Sequence, residues 1–241
     1  NQLILTAGIR WAVYSTQTSR LYSVGWLLKP NYQAWSSVVL DESSEGTWRW
    51  ATTWHQGYAY NVGYGAEDQQ GCLYRSPDGL HWHVWVKPLF PNRDIFSNES
   101  SLVSDGEHLW CLTRRDARGG AKAILGVASH SIKSWKWKTL PISIGGPKLL
   151  KLSNNEWVMA VRRINFKRWK AKTCLYKLNP QTLQVKLWRI LPSSGDTSYA
   201  GMVEKDQTLY VSYYSSHLNK QTDIYFMAEN LQTKKRSQKI Q

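Results

Sequence analysis

The sequence contains little cysteine, little acid and no long apolar run, and each shortage excludes a class of protein. Its three cysteines, Cys72, Cys111 and Cys174, are far apart and form no Cys-x-x-Cys pair. Spacing of this kind predicts buried free thiols rather than a disulfide framework or a zinc site. No run approaches the roughly 18–20 apolar residues of a membrane-spanning helix. The histidines have no ligand-like spacing with acids or cysteines, so we expect neither a metal site nor a cofactor.

Acidic residues are outnumbered, with 17 Asp and Glu against 31 Lys and Arg, for a net charge of +14. Such a surface attracts anionic partners, which include acidic glycans, nucleic acids and lipid headgroups. Residues 162–172 are rich in basic side chains, with Phe166 and Trp169 between them. No nucleic-acid-binding motif or glycine-rich phosphate loop accompanies them, which favours a solvated hairpin loop. Nucleic acid is therefore the less favoured partner.

The chain is instead rich in aromatic residues, with 14 tryptophans and 13 tyrosines. Within strand-like runs, aromatic residues recur at Tyr60, Trp110, Trp157 and Tyr210, a spacing of about fifty residues. Each unit holds about four short strands separated by turns, and this combination is typical of a β-propeller. An antiparallel sandwich is the alternative, but the constant order of strands in each unit favours the propeller.

The repeat predicts an all-β, five-bladed propeller of four-stranded antiparallel blades. It would form one domain over residues 1–231, followed by a basic tail, 232–241, that we expect to be disordered. The first blade is irregular, with strands expected at 9–14, 21–26 and 35–40. The last blade lacks an outer strand, which residues 2–6 would supply if they close the ring. An N-terminally truncated six-bladed propeller would explain the same pattern.

In a four-stranded blade, the first strand starts and the second strand ends on the same face. Polar and aromatic residues occupy these positions in four successive units, so we expect them to converge at one mouth. The first strands start at Arg49, Asn98, Glu99, Gly145, Gly146, Pro147 and Asp196, and the second strands end at Tyr64, Arg114, Arg115, Asp116, Arg162, Arg163 and residues 213–217. A hairpin between 193 and 217 likewise brings Asp196, Tyr213 and His217 together.

Two carboxylates around a concave mouth suit cleavage of a glycosidic bond. One carboxyl group protonates the leaving oxygen, while a second group attacks or stabilises the oxocarbenium-like centre. Glu99 and Asp196 are the candidate pair, either of which would be the acid/base. A tyrosine replaces the carboxylate nucleophile in some glycosidases. Tyr213 is therefore the third candidate catalytic residue, with Tyr199 and Tyr214 as alternatives.

Arginines at the same mouth would bind an anionic sugar through paired hydrogen bonds. The candidate substrate-binding residues are Arg49, His55, Arg114, Arg115, Asp116, Arg162, Arg163, Tyr199, Tyr214 and His217. A purely structural alternative is that Glu99 and Asp196 form salt bridges with these arginines and tie neighbouring blades together. For His55 the alternative is a hydrogen bond within its own blade.

Four stretches together resemble the sialidase-like, BNR-repeat family of bacterial propellers. They are residues 47–55, residues 98–99 with 114–116, residues 145–147 with Arg162, and Ser-Gly-Asp-Thr-Ser-Tyr at 194–199 with Tyr-Tyr-Ser-Ser-His at 213–217. Residues 76–82, Ser-Pro-Asp-Gly-Leu-His-Trp, resemble the structural Asp-box turn of that family. Residues 1–46 contain no Arg-Ile-Pro segment, which classical sialidases carry, and no matching early acid/base aspartate.

The resemblance implies a sialidase-type propeller that removes a terminal sugar, either acidic or neutral, from a carbohydrate or glycoconjugate. It also favours a secreted or periplasmic protein, and the chain starts at Asn1 without a visible signal peptide. A catalytically silent glycan-binding propeller is the alternative, and an interaction scaffold or nucleic-acid binder is the third possibility. We expect a monomer.

Overall fold

Antiparallel β-strands make up almost all of the regular structure. The computed structural model describes residues 3–13, 18–30, 34–49, 51–65, 70–116, 121–128, 131–165, 170–218 and 221–232. Within these ranges it has nineteen strands, numbered β1 to β19 in chain order, and two 3₁₀ turns, Glu42–Ser44 and Arg93–Ile95. No helix in the described ranges is long and apolar enough to cross a membrane. The predicted basic tail, after its first residue, and residues 166–169 of the basic loop lie outside these ranges.

The strands form five sheets, and each sheet is one blade of a propeller. Blade 1 contains β1 (Ile4–Val13), β2 (Thr18–Leu27) and β3 (Val39–Asp41). Blade 2 contains β4 (Trp48–Arg49), β5 (Thr53–His55), β6 (Tyr58–Tyr64), β7 (Cys72–Ser76) and β8 (His83–Val86). Blade 3 contains β9 (Ser97–Ser104), β10 (Leu109–Arg115), β11 (Ile124–Ala128) and β12 (Trp135–Thr139). Blade 4 contains β13 (Gly145–Lys151), β14 (Trp157–Asn165), β15 (Lys170–Leu178) and β16 (Val185–Ile190), and blade 5 contains β17 (Thr197–Lys205), β18 (Thr208–Ser215) and β19 (Asp223–Asn230).

The five-bladed, all-β prediction is therefore confirmed, with two kinds of departure from regular blades. Blades 3 and 4 are complete four-stranded sheets whose first strands contact one another at the inner edge. In blade 2 the inner strand is split into β4 and β5, which both pair with β6. Blades 1 and 5 have three strands each within the described residues.

The first blade begins earlier than the sequence predicts. β1 pairs with β2 along its whole length, from Ile4 opposite Leu27 to Val13 opposite Thr18. The expectation that residues 2–6 complete the last blade is wrong, because their described part belongs to blade 1. A local hairpin explains the difference, since its loop closes at a much lower entropic cost than contact with a strand some two hundred residues away.

Apolar layers fill the spaces between consecutive blades. Leu112 of blade 3 packs with Leu149 and Met159 of blade 4, and Leu175 of blade 4 packs with Val211 of blade 5. Middle strands covered on both faces therefore appear as nearly continuous apolar runs rather than as alternating ones. The three cysteines lie in these layers as buried free thiols, as predicted.

The turn at residues 76–82 connects β7 to β8 and is held by hydrogen bonds within it. The Ser76 hydroxyl accepts a hydrogen bond from the Gly79 amide at 2.8 Å, and Asp78 Oδ1 accepts one from the His81 amide at the same distance. Trp82 is buried, and its indole N–H donates to the Gly79 carbonyl at 3.1 Å. The turn thereby places a large aromatic side chain under the first strand of its own blade.

Trp82 covers a buried ion pair that joins blades 1 and 2. Arg49 Nη1, at the end of β4, pairs with the carboxylate of Asp41 in β3, and both residues are less than a tenth exposed. The guanidinium lies 4.6 Å from the Trp82 ring centre and 5.5 Å from that of Tyr74. Burial lowers the pKa of Arg49 to about 10, with Tyr74 acting in the opposite direction, so the guanidinium stays charged at neutral pH.

We expect Asp41→Asn to lower the free energy of unfolding by about 3 kcal/mol, because it leaves the buried Arg49 charge without its counter-ion. The matched control is Glu45→Gln, which breaks a neighbouring but exposed pair with Arg20 at 3.8 Å. That change should lower the free energy of unfolding by less than about 1 kcal/mol. Urea unfolding of both variants checks the prediction, and equal losses would contradict it.

Candidate active site

The same irregularity occurs at one end of three successive blades. The register between first and second strands shifts between Thr113 and Arg115, between Gly145 and Lys148, and between Ser198 and Gly201. In each blade two first-strand residues face one second-strand residue, which defines a β-bulge. The bulged residues are Asn98 and Glu99, Gly146 and Pro147, and Tyr199 and Ala200. Bulges of this kind redirect side chains and are common next to active sites.

The first bulge directs Glu99 into the junction of three blades. Its carboxylate is 3% exposed and accepts hydrogen bonds from Arg114 Nη1 at 3.0 Å and 2.9 Å, one to each oxygen. The amide of Gly146 in blade 4 donates to Oε2 at 2.9 Å, and the hydroxyl of Tyr199 in blade 5 donates to Oε1 at 2.6 Å. The carboxylate thus accepts hydrogen bonds from three blades, and the hydroxyl proton of Tyr199 is directed at it.

Tyr199 is the exposed member of this group. Its backbone has a φ of 48°, in the left-handed region that non-glycine residues rarely adopt. The side chain is 43% exposed and lies beside Tyr214, with ring centres 5.7 Å apart. Burial of part of the ring, together with the hydrogen bond to Glu99 and that residue's negative charge, raises the pKa of Tyr199 to about 12. The phenol is therefore protonated at neutral pH and has an acceptor in place for its proton.

A second carboxylate lies on the same side, next to Tyr199. Asp196 precedes β17, and its side chain is 67% exposed. Its Oδ1 accepts hydrogen bonds from Arg162 Nη1 at 3.1 Å and from the Tyr214 hydroxyl at 2.8 Å. The guanidinium of Arg162 lies 5.8 Å from the centre of the Tyr199 ring. Blades 4 and 5 thus contribute a carboxylate, an arginine and two phenols to one surface.

Arg114 connects Glu99 to a third carboxylate. Its Nε donates to Asp116 Oδ1 at 2.7 Å, and Asn98 Nδ2 donates to the other oxygen of Asp116. Desolvation lowers the pKa of Arg114, but the charges of Glu99 and Asp116 outweigh that effect and the net shift is upward. Arg114 therefore remains a cation that bridges two acids.

Tyr64 belongs to the site but was not among the candidate binding residues. It ends β6, the second strand of blade 2, at the same end of the blade at which β10 carries Arg114 and β14 carries Arg162. Desolvation, followed by the charge of Glu99 and the proximity of Tyr199, raises its pKa. The repeat could have identified Tyr64, because the last residues of each second strand lie at the mouth.

Several candidates lie away from this cluster. The Tyr213 hydroxyl donates to the Pro192 carbonyl at 2.9 Å, and its ring stacks on Tyr225 in the core, so Tyr213 is not positioned as a nucleophile. The reason is strand alternation: Tyr214 faces the mouth, so its neighbour faces the other side of the sheet. Arg49 is directed instead into the ion pair with Asp41 described above.

His55 lies at the opposite end of the strands. It is buried, and its Nδ1 hydrogen-bonds to the hydroxyl of Ser104 at 2.7 Å, so its partner is in blade 3 rather than in its own blade. Burial lowers the pKa of His55, and the ring is neutral at pH 7. It connects two blades and does not face the mouth.

Arg115 and His217 have local partners, and Arg163 faces away from the mouth. Arg115 donates to the carbonyls of Ile95 and Asp94 at 2.8 Å and 3.0 Å and holds the loop before β9. Arg163 is exposed and follows Arg162 in β14, so strand alternation places it on the other face of the sheet. His217 contacts the Tyr225 ring at 4.3 Å, and its Nδ1 lies 3.1 Å from the Ser215 hydroxyl. The structure thus brings together Glu99, Arg114, Asp116, Arg162, Asp196, Tyr199 and Tyr214.

Across the described ranges, no group of three or more His, Cys, Asp or Glu side chains is arranged to hold a metal ion. Carboxylates in this site face arginines and phenols, which are donors, instead of one another. The chemistry available from these residues is therefore proton transfer, nucleophilic attack by oxygen and recognition of anions.

Comparison with solved structures places the fold among β-propellers, several of them glycoside hydrolases. The chain is similar to a protein of unknown function from Dyadobacter fermentans, with a TM-score of 0.77, 14% identity, and coverage of 94% of this chain and 72% of that one. It is also similar to a thermostable family-43 glycoside hydrolase, with a TM-score of 0.58, 9% identity, and coverage of 77% and 69%. An endo-arabinase from Bacteroides thetaiotaomicron gives a TM-score of 0.56 at 12% identity over 97% of this chain and 96% of that one.

At this level of identity the likeness establishes the fold. No protein-family model matches the chain. No curated protein sequence matches it either. The site residues therefore have to be judged by their own geometry.

We expect Gly146→Ala to disrupt the site, because its new Cβ would lie 1.9 Å from Ser198 Oγ and 2.9 Å from Tyr199 Cδ1, at a φ of 49°. Gly57→Ala is the matched control, since Gly57 has a φ of 82° and no atom within 4 Å of the added methyl group. The control should lower the free energy of unfolding by about 1 kcal/mol, because alanine is strained in a left-handed backbone conformation. Gly146→Ala should lower it by at least about 3 kcal/mol. Urea unfolding measures both changes, and equal losses of unfolding free energy would contradict the close contact of Gly146 with Ser198 and Tyr199.

Proposed function

We propose that this chain is an exo-acting glycoside hydrolase for a terminal acidic sugar, with Tyr199 as nucleophile and Glu99 as its general base. The observation that carries the proposal is the 2.6 Å hydrogen bond from the Tyr199 hydroxyl to the buried Glu99 carboxylate. A neutral phenol is a weak nucleophile, and an adjacent base activates it by accepting its proton during attack. This assigns Glu99 the role of base rather than that of acid.

A tyrosine suits a substrate that is itself negatively charged. A carboxylate nucleophile would repel an acidic sugar, whereas a phenol paired with a buried carboxylate keeps the negative charge away from the substrate until the reaction starts. Arg162 supplies the attraction, because its guanidinium lies 5.8 Å from the centre of the Tyr199 ring. This cation would bind a substrate carboxylate beside Tyr199.

The proposed reaction has two steps. In the first, Tyr199 Oη bonds to the anomeric carbon, its proton passes to Glu99, and the glycosidic C–O bond breaks as the leaving oxygen takes a proton. Asp196, the exposed carboxyl group next to Tyr214, is the residue positioned to supply that proton. In the second step water attacks the anomeric carbon, gives up a proton to Asp196, and releases the sugar, and Glu99 returns the first proton to Tyr199.

The structural neighbours support this proposal at the level of reaction class. A family-43 glycoside hydrolase and an endo-arabinase share the propeller fold with this chain. The tyrosine–glutamate pair and the arginines favour the narrower, sialidase-like activity.

One observation favours a second function, which is glycan binding without turnover. Asp196 Oδ1 already accepts two hydrogen bonds, from Arg162 and Tyr214. These contacts hold the carboxyl group against its own neighbours rather than against a leaving group. In that case the same residues would bind an acidic sugar and leave its linkage intact.

Release of a fluorescent aglycone from a panel of sialosides and uronides separates these functions. We expect turnover by the wild type, and a loss of about 10³-fold in kcat/KM for both Glu99→Gln and Tyr199→Phe. Tyr213→Phe and Glu229→Gln are the matched controls, because Tyr213 lies in the core and Glu229 pairs with Arg189 away from the mouth. Both controls should retain turnover within about twofold of the wild type.

Full activity of Tyr199→Phe would contradict the assignment of the nucleophile. Absence of turnover with retained glycan binding would favour the silent propeller. Asp196→Asn adds a test of the acid: its loss should be larger for an alkyl glycoside than for an activated aryl glycoside, since only the alkyl leaving group needs a proton. Equal losses for both leaving groups would remove Asp196 from that role.

A further inference from the structure

A polar cavity of about 470 Å³ opens on the face of the propeller opposite Glu99. Lys151 ends β13, Trp157 starts β14 and Leu178 ends β15, whereas Glu99 lies near the start of its strand and Arg114 near the end of β10. Cavities of this size accommodate a small ligand. Nothing in the proposed chemistry at the mouth uses it.

Three lysines line this cavity: Lys151, Lys177 and Lys186. Lys177 and Lys186 lie directly opposite each other on β15 and β16, and like charges in that arrangement destabilise a sheet. Only Lys177 has an acidic partner, Glu156 Oε1 at 2.5 Å. Within the described part of the chain, neither Lys151 nor Lys186 has an ion-pair partner.

The other acidic lining residue, Asp105, accepts hydrogen bonds from its own turn. Asp105 Oδ1 accepts the amides of Glu107 and His108 at 3.0 Å and 2.7 Å, and its Oδ2 accepts the indole N–H of Trp110 at 2.7 Å. These contacts close the turn between β9 and β10 and leave Asp105 unavailable to the lysines. With three lysines against two acids, Asp105 and Glu156, the lining of the cavity has a net positive charge.

Side-chain amides surround the lysines. Asn179 Oδ1 accepts the backbone amides of Gln181 and Thr182 at 3.0 Å and 2.9 Å, so its Nδ2 group remains available as a donor. Gln181 and Gln184 also line the cavity. Donors of this type bind sugar hydroxyls. The aromatic lining residue, Trp157, is only 7% exposed, so it offers no face on which a nucleic-acid base could stack.

We propose that this cavity is a second binding site, which takes the carboxylate or sulfate group of an acidic sugar chain. The two unpaired lysines bind the anionic group and the amides bind neighbouring hydroxyls. The site is independent of the proposed hydrolysis, and it would hold a polyanionic glycan on the face away from the mouth.

Calorimetric titration with a sulfated heparin-derived hexasaccharide and with hexagalacturonate tests the proposal. We expect at least one of them to bind the wild type, and the double variant Lys151→Gln, Lys186→Gln to bind it at least about tenfold more weakly, since two charged contacts are lost. The matched control is Lys136→Gln with Lys138→Gln, on the exposed outer strand β12. It removes the same charge and should change the affinity by less than about twofold.

The double variant Lys151→Gln, Lys186→Gln should keep the wild-type rate of aglycone release, which separates this site from the mouth. If the double variant unfolds, the single variant Lys186→Gln, on an exposed outer strand, replaces it and should also bind the saccharide more weakly than the wild type. A preference for the sulfated saccharide or for hexagalacturonate identifies the anionic group that the cavity binds. Either preference supports the proposal. Absence of binding by both saccharides, equal weakening in the control, or preferential binding of a single-stranded hexanucleotide at these lysines would overturn it.

Discussion

The rest of the site depends on one buried carboxylate, that of Glu99. Removal of a carboxylate from water is costly unless polar and charged donors replace its hydration. Glu99 receives those donors from three blades: the guanidinium of Arg114, the amide of Gly146 and the hydroxyl of Tyr199. The contacts that solvate this charge therefore also hold blades 3, 4 and 5 together at the mouth. A change at any one donor alters both the junction and the proposed nucleophile.

Backbone geometry makes this arrangement possible. A regular strand would alternate its side chains between the two apolar layers on either side of the sheet. The bulge in each of the three inner strands adds one residue, which brings Glu99, the Gly146 amide and Tyr199 to one point. Tyr199 and Gly146 both have a φ near 50°, and their close contact limits position 146 to glycine. The repeated fold thus acquires a site through the same local defect in three successive blades.

The sequence predicted the blades better than it predicted the direction of individual side chains. Spacing of about fifty residues identified the five units, and the ends of the strands identified Glu99, Arg114, Arg162, Asp196, Tyr199 and Tyr214. Tyr213 and Tyr214 are adjacent, and only the register of β18 decides which of them faces the mouth. Arg49 occupies the expected strand position, but its side chain pairs with Asp41 of blade 1, and no sequence pattern marked that partner. Residues 4–6 were assigned to the wrong blade because an apolar strand pattern does not specify its neighbour.

The most direct test of the central claim is to trap the sugar on the enzyme. An activated, fluorine-substituted donor of a sugar from the panel that the protein hydrolyses slows hydrolysis of the glycosyl-enzyme, so the covalent adduct accumulates. The account predicts one added sugar per chain, located by peptide mass spectrometry on Tyr199, and no adduct in Tyr199→Phe. A sugar attached to Asp196 or Glu99, or an adduct that persists in Tyr199→Phe, would contradict the assignment of the tyrosine as nucleophile.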